Sequence, residues 1–239
     1  MRENASLRAQ ELDRNLQAAH RRIDAAREGR QVDLLVISKT YPSSDIHILS
    51  GLGQQAFGEN RDQEGKGKYV ECEDLDSISW HMVGQLQSKK LNSIARWADT
   101  VETLDRLELI AALDRAAAQA NKTLRVLIQV NLDPAEFREG MNRGGVNPEM
   151  VPDFVAELEK APHLTLGGVM GVGPHPQMGA DVGAAFGQLA GVAALVQKSN
   201  PEATMISAGM SGDLEHAIRA GATQVRLGSA ILGERPNVQ

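Results

Sequence analysis

The feature that most limits how this chain can fold is a regular alternation of short apolar runs with segments of helical periodicity. Eight runs have the length of buried strands, and they lie at residues 34–38, 55–59, 79–84, 99–104, 124–131, 164–172, 203–210 and 223–230. Between them, apolar residues recur at helical spacing, and no long linker interrupts the series. Regular β/α alternation of this kind predicts a parallel sheet.

Eight strand–helix units in 239 residues fit a (β/α)8 TIM barrel, which typically takes about 250 residues. The main alternative is a doubly wound open sheet, which usually has fewer strands and a glycine-rich turn after the first one. We therefore predict a single α/β barrel domain over residues 1–239. An extra N-terminal helix should precede the first strand, with an apolar side formed by Leu7, Leu12, Leu16 and Ile23.

Composition and charge exclude several classes of function. The net charge is −6, the isoelectric point is near 5.6, and no basic run is longer than a dipeptide. Binding to nucleic acid or to an anionic membrane surface is therefore disfavoured. The single cysteine, Cys72, excludes an internal disulfide and is consistent with a reducing compartment. It lies in the acidic segment 70–77, where we expect it to be exposed and without a role.

No cluster of cysteine and histidine has zinc-site spacing, and no apolar run approaches the length of a membrane span. We expect a soluble cytoplasmic protein without a metal. No heptad pattern or large apolar stripe indicates an interface, so we expect a monomer. The glycine- and proline-rich segment 171–181 has no role that its composition indicates.

A lysine stands at the end of the first apolar run. In "LLVISKT", Lys39 follows Ser38 at the carboxyl end of the predicted first strand, which is where parallel α/β folds keep their chemistry. An ordinary solvent-exposed lysine is the alternative for this fragment taken alone. Lysine is seldom buried, because removing an ammonium group from water is costly, so the surrounding sequence decides between the two.

Two loops of small residues follow the last two predicted strands. They read "SAGMSGD" at 207–213 and "LGSAILG" at 227–233. Barrels often bind phosphate with the loops after strands 7 and 8, because small residues let backbone amides approach an anion. Ordinary strand-to-helix turns also contain serine and glycine, but two such loops at these two positions favour phosphate.

Arg226 lies inside the eighth run, where a cation is costly unless it faces a ligand or a fixed partner. A lysine after strand 1, an arginine in strand 8 and a phosphate cradle after strands 7 and 8 suggest one ligand, pyridoxal 5′-phosphate (PLP). Its aldehyde suits the lysine, its ring nitrogen suits the arginine, and its phosphate suits the loops.

Several motifs resemble one family in order and in sequence. They are "VISKTYP", "FGENRDQEGKGK", "WHMVGQLQSKK", "LIQVNL", "GGVMGV" and "SAGMSGDLEHAIRAGATQVRLGSAILG". This sequence resembles the pyridoxal-phosphate homeostasis proteins, single-domain relatives of the alanine racemase barrel, which is a fold-type III PLP-binding barrel. The resemblance runs from about residue 32 to residue 234.

The resemblance implies roles for particular residues. Lys39 would hold PLP as an internal aldimine, a Schiff base, and Arg226 would face the pyridine nitrogen. Asn60 and His81 would line the mouth of the site, and Met170 would lie beside the ring. The phosphate cradle would comprise the amides around Met210 together with Ser207, Ser211, Gly228 and Ser229. The family more often has methionine or leucine at Ala208 and threonine at Ser229, and Ser229 keeps the hydroxyl.

The same residues limit the chemistry. Desolvation and the nearby charge of Arg226 should lower the pKa of Lys39 from about 10.4, which favours the neutral amine that a Schiff base requires. Arginine can donate a hydrogen bond to a ring nitrogen but does not give up its proton, so the ring stays a weak electron sink.

Racemisation would need acid–base groups on both faces of the substrate carbon. In alanine racemases a second domain supplies a tyrosine, and we expect that domain to be missing here. Tyr41 and Tyr69 are the two tyrosines, and we expect Tyr41 to pack on its loop. We therefore expect a PLP-binding homeostasis protein without sustained turnover, with PLP-dependent apo-enzymes as candidate recipients. A weak racemase or decarboxylase is the alternative, and a cofactor-free Schiff-base aldolase is a remote third.

Overall fold

The computed structural model of this protein describes residues 2–134, 144–175 and 178–234. Eight parallel strands form a closed barrel in chain order. Each strand overlaps one predicted run, and the barrel confirms the predicted fold. The strands are β1 (Asp33–Ile37), β2 (Ala56–Glu59), β3 (Ser79–Met82), β4 (Thr100–Leu104), β5 (Leu124–Val130), β6 (Leu164–Gly171), β7 (Met205–Ser207) and β8 (Gln224–Leu227).

Helices surround the barrel, and all but the first and the last of those described connect successive strands. They are α1 (Arg2–Ala26), α2 (Ser43–Gly51), α3 (Asp62–Glu71), α4 (Leu91–Trp97), α5 (Ile110–Gln119), α6 (Val151–Leu158), α7 (Val182–Ser199), α8 (Leu214–Arg219) and α9 (Ser229–Leu232). Short 3-10 turns precede α4, α5 and α6 at Ser88–Lys90, Leu107–Leu109 and Pro148–Met150. Within the three described ranges, no helix is both long enough and apolar enough to cross a membrane.

The predicted N-terminal helix is present as α1. Leu12, Leu16 and Ile23 are buried on its inner side, as its periodicity predicts, but Leu7 is 61% exposed. The helix is fixed to the barrel by polar contacts as well. Asn15 Nδ2 donates to the carbonyl oxygen of Ile231 in α9 at 2.9 Å, so α1 covers the loop that follows β8.

Pairing of β1 with β8 closes the barrel. The two strands are parallel, with Leu35 opposite Arg226 and Val36 opposite Leu227. The carboxyl ends of β7, β8 and β1 are therefore neighbours at one rim. This closure brings Lys39 to the same rim as the loops that follow β7 and β8, although the lysine is separated from them by most of the chain.

One face of α3 packs against the barrel and α4. Gly65, Lys68 and Cys72 lie on this face at helical spacing, and Lys68 and Cys72 are 6% and 2% exposed. The expectation of an exposed Cys72 is wrong, because the acidic segment begins inside α3 and the cysteine follows its last turn on the inner side. Burial also raises the pKa of the Cys72 thiol to about 11. Of the segment 171–181, residues 176 and 177 lie outside the described residues.

We predict opposite effects for two alanine substitutions in α3. A methyl group at position 65 would lie 2.6 Å from Trp97 Cζ2, whereas one at position 67 would meet no atom within 4 Å. Gly65→Ala should lower the free energy of unfolding by about 1–3 kcal/mol through overpacking, offset in part by helix propensity. Gly67→Ala should raise it by about 0.5–1 kcal/mol. Urea denaturation measures both, and effects of the same sign would contradict this packing.

Candidate functional site

Lys39 lies at the mouth of the barrel in the turn that follows β1. Ser38 is buried, Lys39 is half-buried, and Thr40 adopts a left-handed backbone conformation with φ of 71°. Lys39 follows the last residue of β1 by two positions, at the end of the barrel where the carboxyl ends of the parallel strands meet. The structure therefore places the lysine where the sequence predicts, at the catalytic end of the barrel.

A cluster of polar side chains fills the barrel interior below this mouth. We call it the floor cluster, and its members are His81, Glu102, Ser207, Gln224 and Arg226, all of which are buried. Barrel interiors are usually packed with branched aliphatic residues. A polar layer here costs stability unless its groups are paired, and this layer is densely hydrogen-bonded.

Glu102, in β4, is the centre of the floor cluster. Its Oε1 accepts hydrogen bonds from His81 Nδ1 at 2.7 Å and from Gln224 Nε2 at 2.6 Å. Its Oε2 accepts one from the Ser207 hydroxyl at 2.7 Å and lies 4.0 Å from Arg226 Nη1. Burial would raise the pKa of Glu102, but His81, Arg226 and Ser207 outweigh it and lower the pKa. An ionised carboxylate only accepts, so the His81 proton lies on Nδ1.

Arg226 is fixed by three hydrogen bonds. Nη1 donates to the carbonyl oxygen and the hydroxyl of Ser207 at 2.7 and 2.8 Å, and Nη2 donates to the carbonyl oxygen of Gly171 at 2.8 Å. Burial lowers the pKa of Arg226, and the charge of Glu102 opposes that shift. Arginine stays protonated in proteins. These bonds leave Nε–H and one Nη2 proton for a further acceptor.

The residues predicted to hold phosphate fall into two groups. Gly228 and Ser229 leave β8 and begin the four-residue helix α9, whose first amides have no acceptor within that helix. A methyl group at Gly228 would lie 3.3 Å from the carbonyl oxygen of Ile37, so this turn lies against the end of β1. The geometry thus places a small-residue turn directly beside the strand that carries Lys39.

The polar groups of the loop after β7 make more hydrogen bonds within the protein than the sequence predicts. The Ser207 hydroxyl donates to Glu102 and accepts from Gln224 and Arg226, which uses its full hydrogen-bonding capacity. This arrangement indicates that Ser207 holds Arg226, rather than making the predicted contact with phosphate. The Met210 amide donates to Asp213 Oδ1 at 2.6 Å. Ser211 is exposed, and its carbonyl oxygen accepts from an arginine of α1.

The remaining predicted residues lie around the same mouth. Asn60 follows β2 and is half-buried. Its backbone lies against Gly84, since a methyl group there would lie 2.0 Å from the Asn60 carbonyl oxygen. Met170 is buried in β6 opposite Ser207. His81 belongs to the floor cluster, where its Nδ1 is committed to Glu102.

These residues fit PLP by the chemistry of their donors. The amine of Lys39, the remaining donors of Arg226 and the turn at Gly228 come from β1 and β8, which are hydrogen-bonded neighbours. A ligand with an aldehyde, a ring acceptor and a phosphate could meet all three. Within the described ranges, no group of three or more His, Cys, Asp or Glu side chains could hold a metal ion.

Sequence reasoning missed two sets of residues. One comprises Glu102 and Gln224 in the floor cluster. The other comprises Glu59, Glu64 and Lys68, which surround the backbone of the Lys39 turn: Lys68 Nζ donates to both carboxylates and to the carbonyl oxygen of Ser38, at 2.7 Å in each case. An acid in the interior of the fourth apolar run was the available indication for Glu102.

Comparison with known proteins agrees with this geometry. A family model described as alanine racemase, N-terminal domain, matches residues 7–236. A pyridoxal phosphate homeostasis protein of Mycobacterium leprae (strain TN) is 41% identical over 226 residues, which cover 87% of this chain and 85% of that relative. The chain belongs to the pyridoxal phosphate homeostasis protein family. The resemblance drawn from the motifs is therefore confirmed over almost the whole chain.

Solved structures of the family share the fold. PipY of Synechococcus elongatus PCC7942, solved without PLP, has a TM-score of 0.79 and 31% identity, covering 89% of this chain and 99% of PipY. The structure of PipY with PLP bound also has a TM-score of 0.79, with 28% identity, and covers 93% of this chain and 100% of PipY. A family member with this barrel thus binds PLP.

We predict that Glu102→Gln destabilises the protein by about 3–5 kcal/mol, because an amide replaces one acceptor by a donor and leaves Arg226 without its buried counter-charge. Because the folded-state pKa of Glu102 is depressed, its contribution is complete above the unfolded value of about 4.3 and is lost as the pH falls through the folded pKa. Urea denaturation at a series of pH values measures both effects.

The matched control for this prediction is Glu215→Gln. The Glu215 carboxylate pairs with Arg22 at 2.8 Å, but its side chain is 31% exposed, so the change should cost less than about 1 kcal/mol. Equal costs for the two substitutions would contradict the central position of Glu102.

Proposed function

We propose that this protein binds PLP for intracellular homeostasis and holds it as a Schiff base on Lys39. The observation that carries the proposal is the pairing of β1 with β8, which sets Lys39, Arg226 and the Gly228 turn at one rim. The names of its relatives and the PLP-bound structure of PipY support it. When bound, PLP supplies an aldehyde that condenses with a primary amine and releases water.

The residues of the chain divide the work of binding. Lys39 provides the amine from its half-buried position. Arg226 would donate to the ring nitrogen with a proton that its hydrogen bonds to Ser207 and Gly171 leave available. The amides around Gly228 and Ser229 hold the phosphate, together with the outer part of the loop at Met210 and Ser211. Asn60 and His81 line the mouth, and Met170 packs beside the ring.

The polar residues of the site suit retention of PLP better than turnover of an amino-acid substrate. Arginine keeps its proton, so beside Arg226 the ring nitrogen of bound PLP would stay unprotonated and the ring would withdraw electrons weakly. The Tyr41 hydroxyl donates to the carbonyl oxygen of Gly233 at 2.6 Å, which directs it toward the end of α9. A second acid–base group would have to come from elsewhere for racemisation. We therefore propose that the protein is not a sustained enzyme.

We propose the domain extent, oligomeric state, location and partners of this protein from its sequence. Residues 1–239 would act as one PLP-binding domain, as a cytoplasmic monomer that contacts neither nucleic acid nor membrane. Apo-enzymes that require PLP would be its transient recipients. Light scattering of the purified protein tests the oligomeric state, and a stable dimer would overturn that part.

We predict that the protein mixed with PLP is yellow and that borohydride bleaches its visible band irreversibly. After reduction, the mass of the cofactor should remain on the peptide that contains Lys39. Lys39→Ala should lose the band, whereas Lys89→Ala, at an exposed lysine, should keep it. A colourless wild type that takes up no PLP would overturn the proposal and leave a cofactor-free aldolase as the next idea to test.

Addition of D- and L-alanine to the loaded protein separates a carrier from an enzyme. We predict that either amino acid shifts the visible band without accumulation of the opposite enantiomer. Chiral chromatography of the mixture over many protein equivalents measures this. Continued formation of the opposite enantiomer would favour the racemase alternative.

A further inference from the structure

The turn that presents Lys39 is held from outside the barrel by a cluster that the proposed binding chemistry does not use. We call it the turn anchor, and it comprises Glu59, Glu64 and Lys68. Glu59 ends β2, and the other two lie one helical turn apart in α3. Glu59 and Lys68 are 0% and 7% exposed at their side chains. A cation buried this deeply requires partners.

Lys68 forms the link between α3 and the residue before Lys39. Its Nζ donates to the carbonyl oxygen of Ser38 at 2.7 Å, and it pairs with Glu59 and Glu64 at the same distance. An ammonium group has three protons to donate, so these contacts use all of them. The Ser38 hydroxyl also donates to Glu59 Oε1 at 2.7 Å.

Glu64 holds the residue after Lys39. The backbone amide of Thr40 donates to Glu64 Oε1, the same oxygen that accepts from Lys68. Thr40 has a φ of 71°, and a left-handed conformation is unfavourable for a β-branched residue. The contact with Glu64 therefore opposes relaxation of this residue to an ordinary backbone conformation, which would turn the preceding lysine away from its present direction.

The turn anchor thus forms hydrogen bonds with both peptide groups that flank Lys39. Its members lie on the outer, helix-covered side of the barrel wall, since Glu64 and Lys68 belong to α3 and Glu59 of β2 pairs with Lys68. Stability alone gives a weak reason for such a group, because apolar residues of similar volume often replace a buried ion pair without loss. Fixing the direction of one side chain is a task that apolar packing performs less well.

We infer that Glu64 and Lys68 are positioning residues for Lys39, which hold the Ser38–Thr40 turn so that the amine meets the aldehyde of PLP. This inference rests on the proposed function. It predicts that weakening the turn anchor slows bond formation at Lys39 while the sites for the ring and the phosphate stay intact.

The test compares two ligands in Glu64→Ala. Glu64 is chosen because its side chain is 23% exposed, so its removal leaves a smaller buried gap than removal of Lys68. The rate of Schiff-base formation is followed by visible absorption after mixing with PLP. Binding of pyridoxine 5′-phosphate, which has an alcohol in place of the aldehyde, is measured by calorimetry and reports the ring and phosphate sites alone.

The rate should fall about tenfold or more in Glu64→Ala, since small misplacements of a reacting group are costly. Affinity for pyridoxine 5′-phosphate should stay within about twofold of the wild type. Glu64→Gln keeps a carbonyl oxygen for the Thr40 amide and should recover part of the rate. The control is Glu157→Ala, which breaks the exposed pair with Lys160 and should change neither quantity.

Two results would overturn the inference. An unchanged rate in Glu64→Ala would show that the turn keeps its direction without the turn anchor. Equal losses of rate and of pyridoxine 5′-phosphate affinity would indicate general damage to the barrel. Failure of the wild type to form the bond at all would instead overturn the proposed function, so the two failures are distinguishable.

Discussion

Backbone pairing between β1 and β8 is the constraint on which the rest of the site depends. The register sets Val36 opposite Leu227, so Lys39 and Gly228 emerge from adjacent strands at the same rim. A slip of one residue would turn every side chain of β1 to its other face. The site is therefore a consequence of barrel closure, and the loops after β7 and β8 add hydrogen-bond donors to it.

Charge inside the barrel is balanced locally, and the balance explains which polar residues the fold tolerates. Glu102 offsets Arg226 at 4.0 Å and accepts from His81, Gln224 and Ser207. The ion pair contributes little net stability compared with apolar packing, but it gives Arg226 one fixed orientation. That orientation holds a protonated guanidinium inside the barrel between Ser207 and Gly171. A neutral floor would pack as well but would lack the donor that we propose for the ring nitrogen of PLP.

The sequence predicted the barrel because hydrophobic period and strand count are local properties, and it predicted Lys39 and Arg226 because a charge in a buried run needs a reason. The same test applied to the fourth run would have singled out Glu102, although not its partners. The same test could not have found Lys68, because lysines in helices are usually solvated and the burial of this one depends on Glu59 in β2. Likewise, the position of Ser207 could be predicted, but its partners come from β4 and β8.

The two polar clusters come from different parts of the barrel, and this arrangement separates two demands on a protein that stores a reactive aldehyde. The floor cluster belongs to β3, β4, β7 and β8, whereas the turn anchor belongs to β2 and α3. The floor cluster orients Arg226 from below, whereas the turn anchor holds the backbone of Lys39 from the side of α3. Since the two share no residue, changes in one should leave the other in place. Retention of the ring and presentation of the amine can then be tuned independently, which a carrier needs if it is to hold its cargo firmly and still release it.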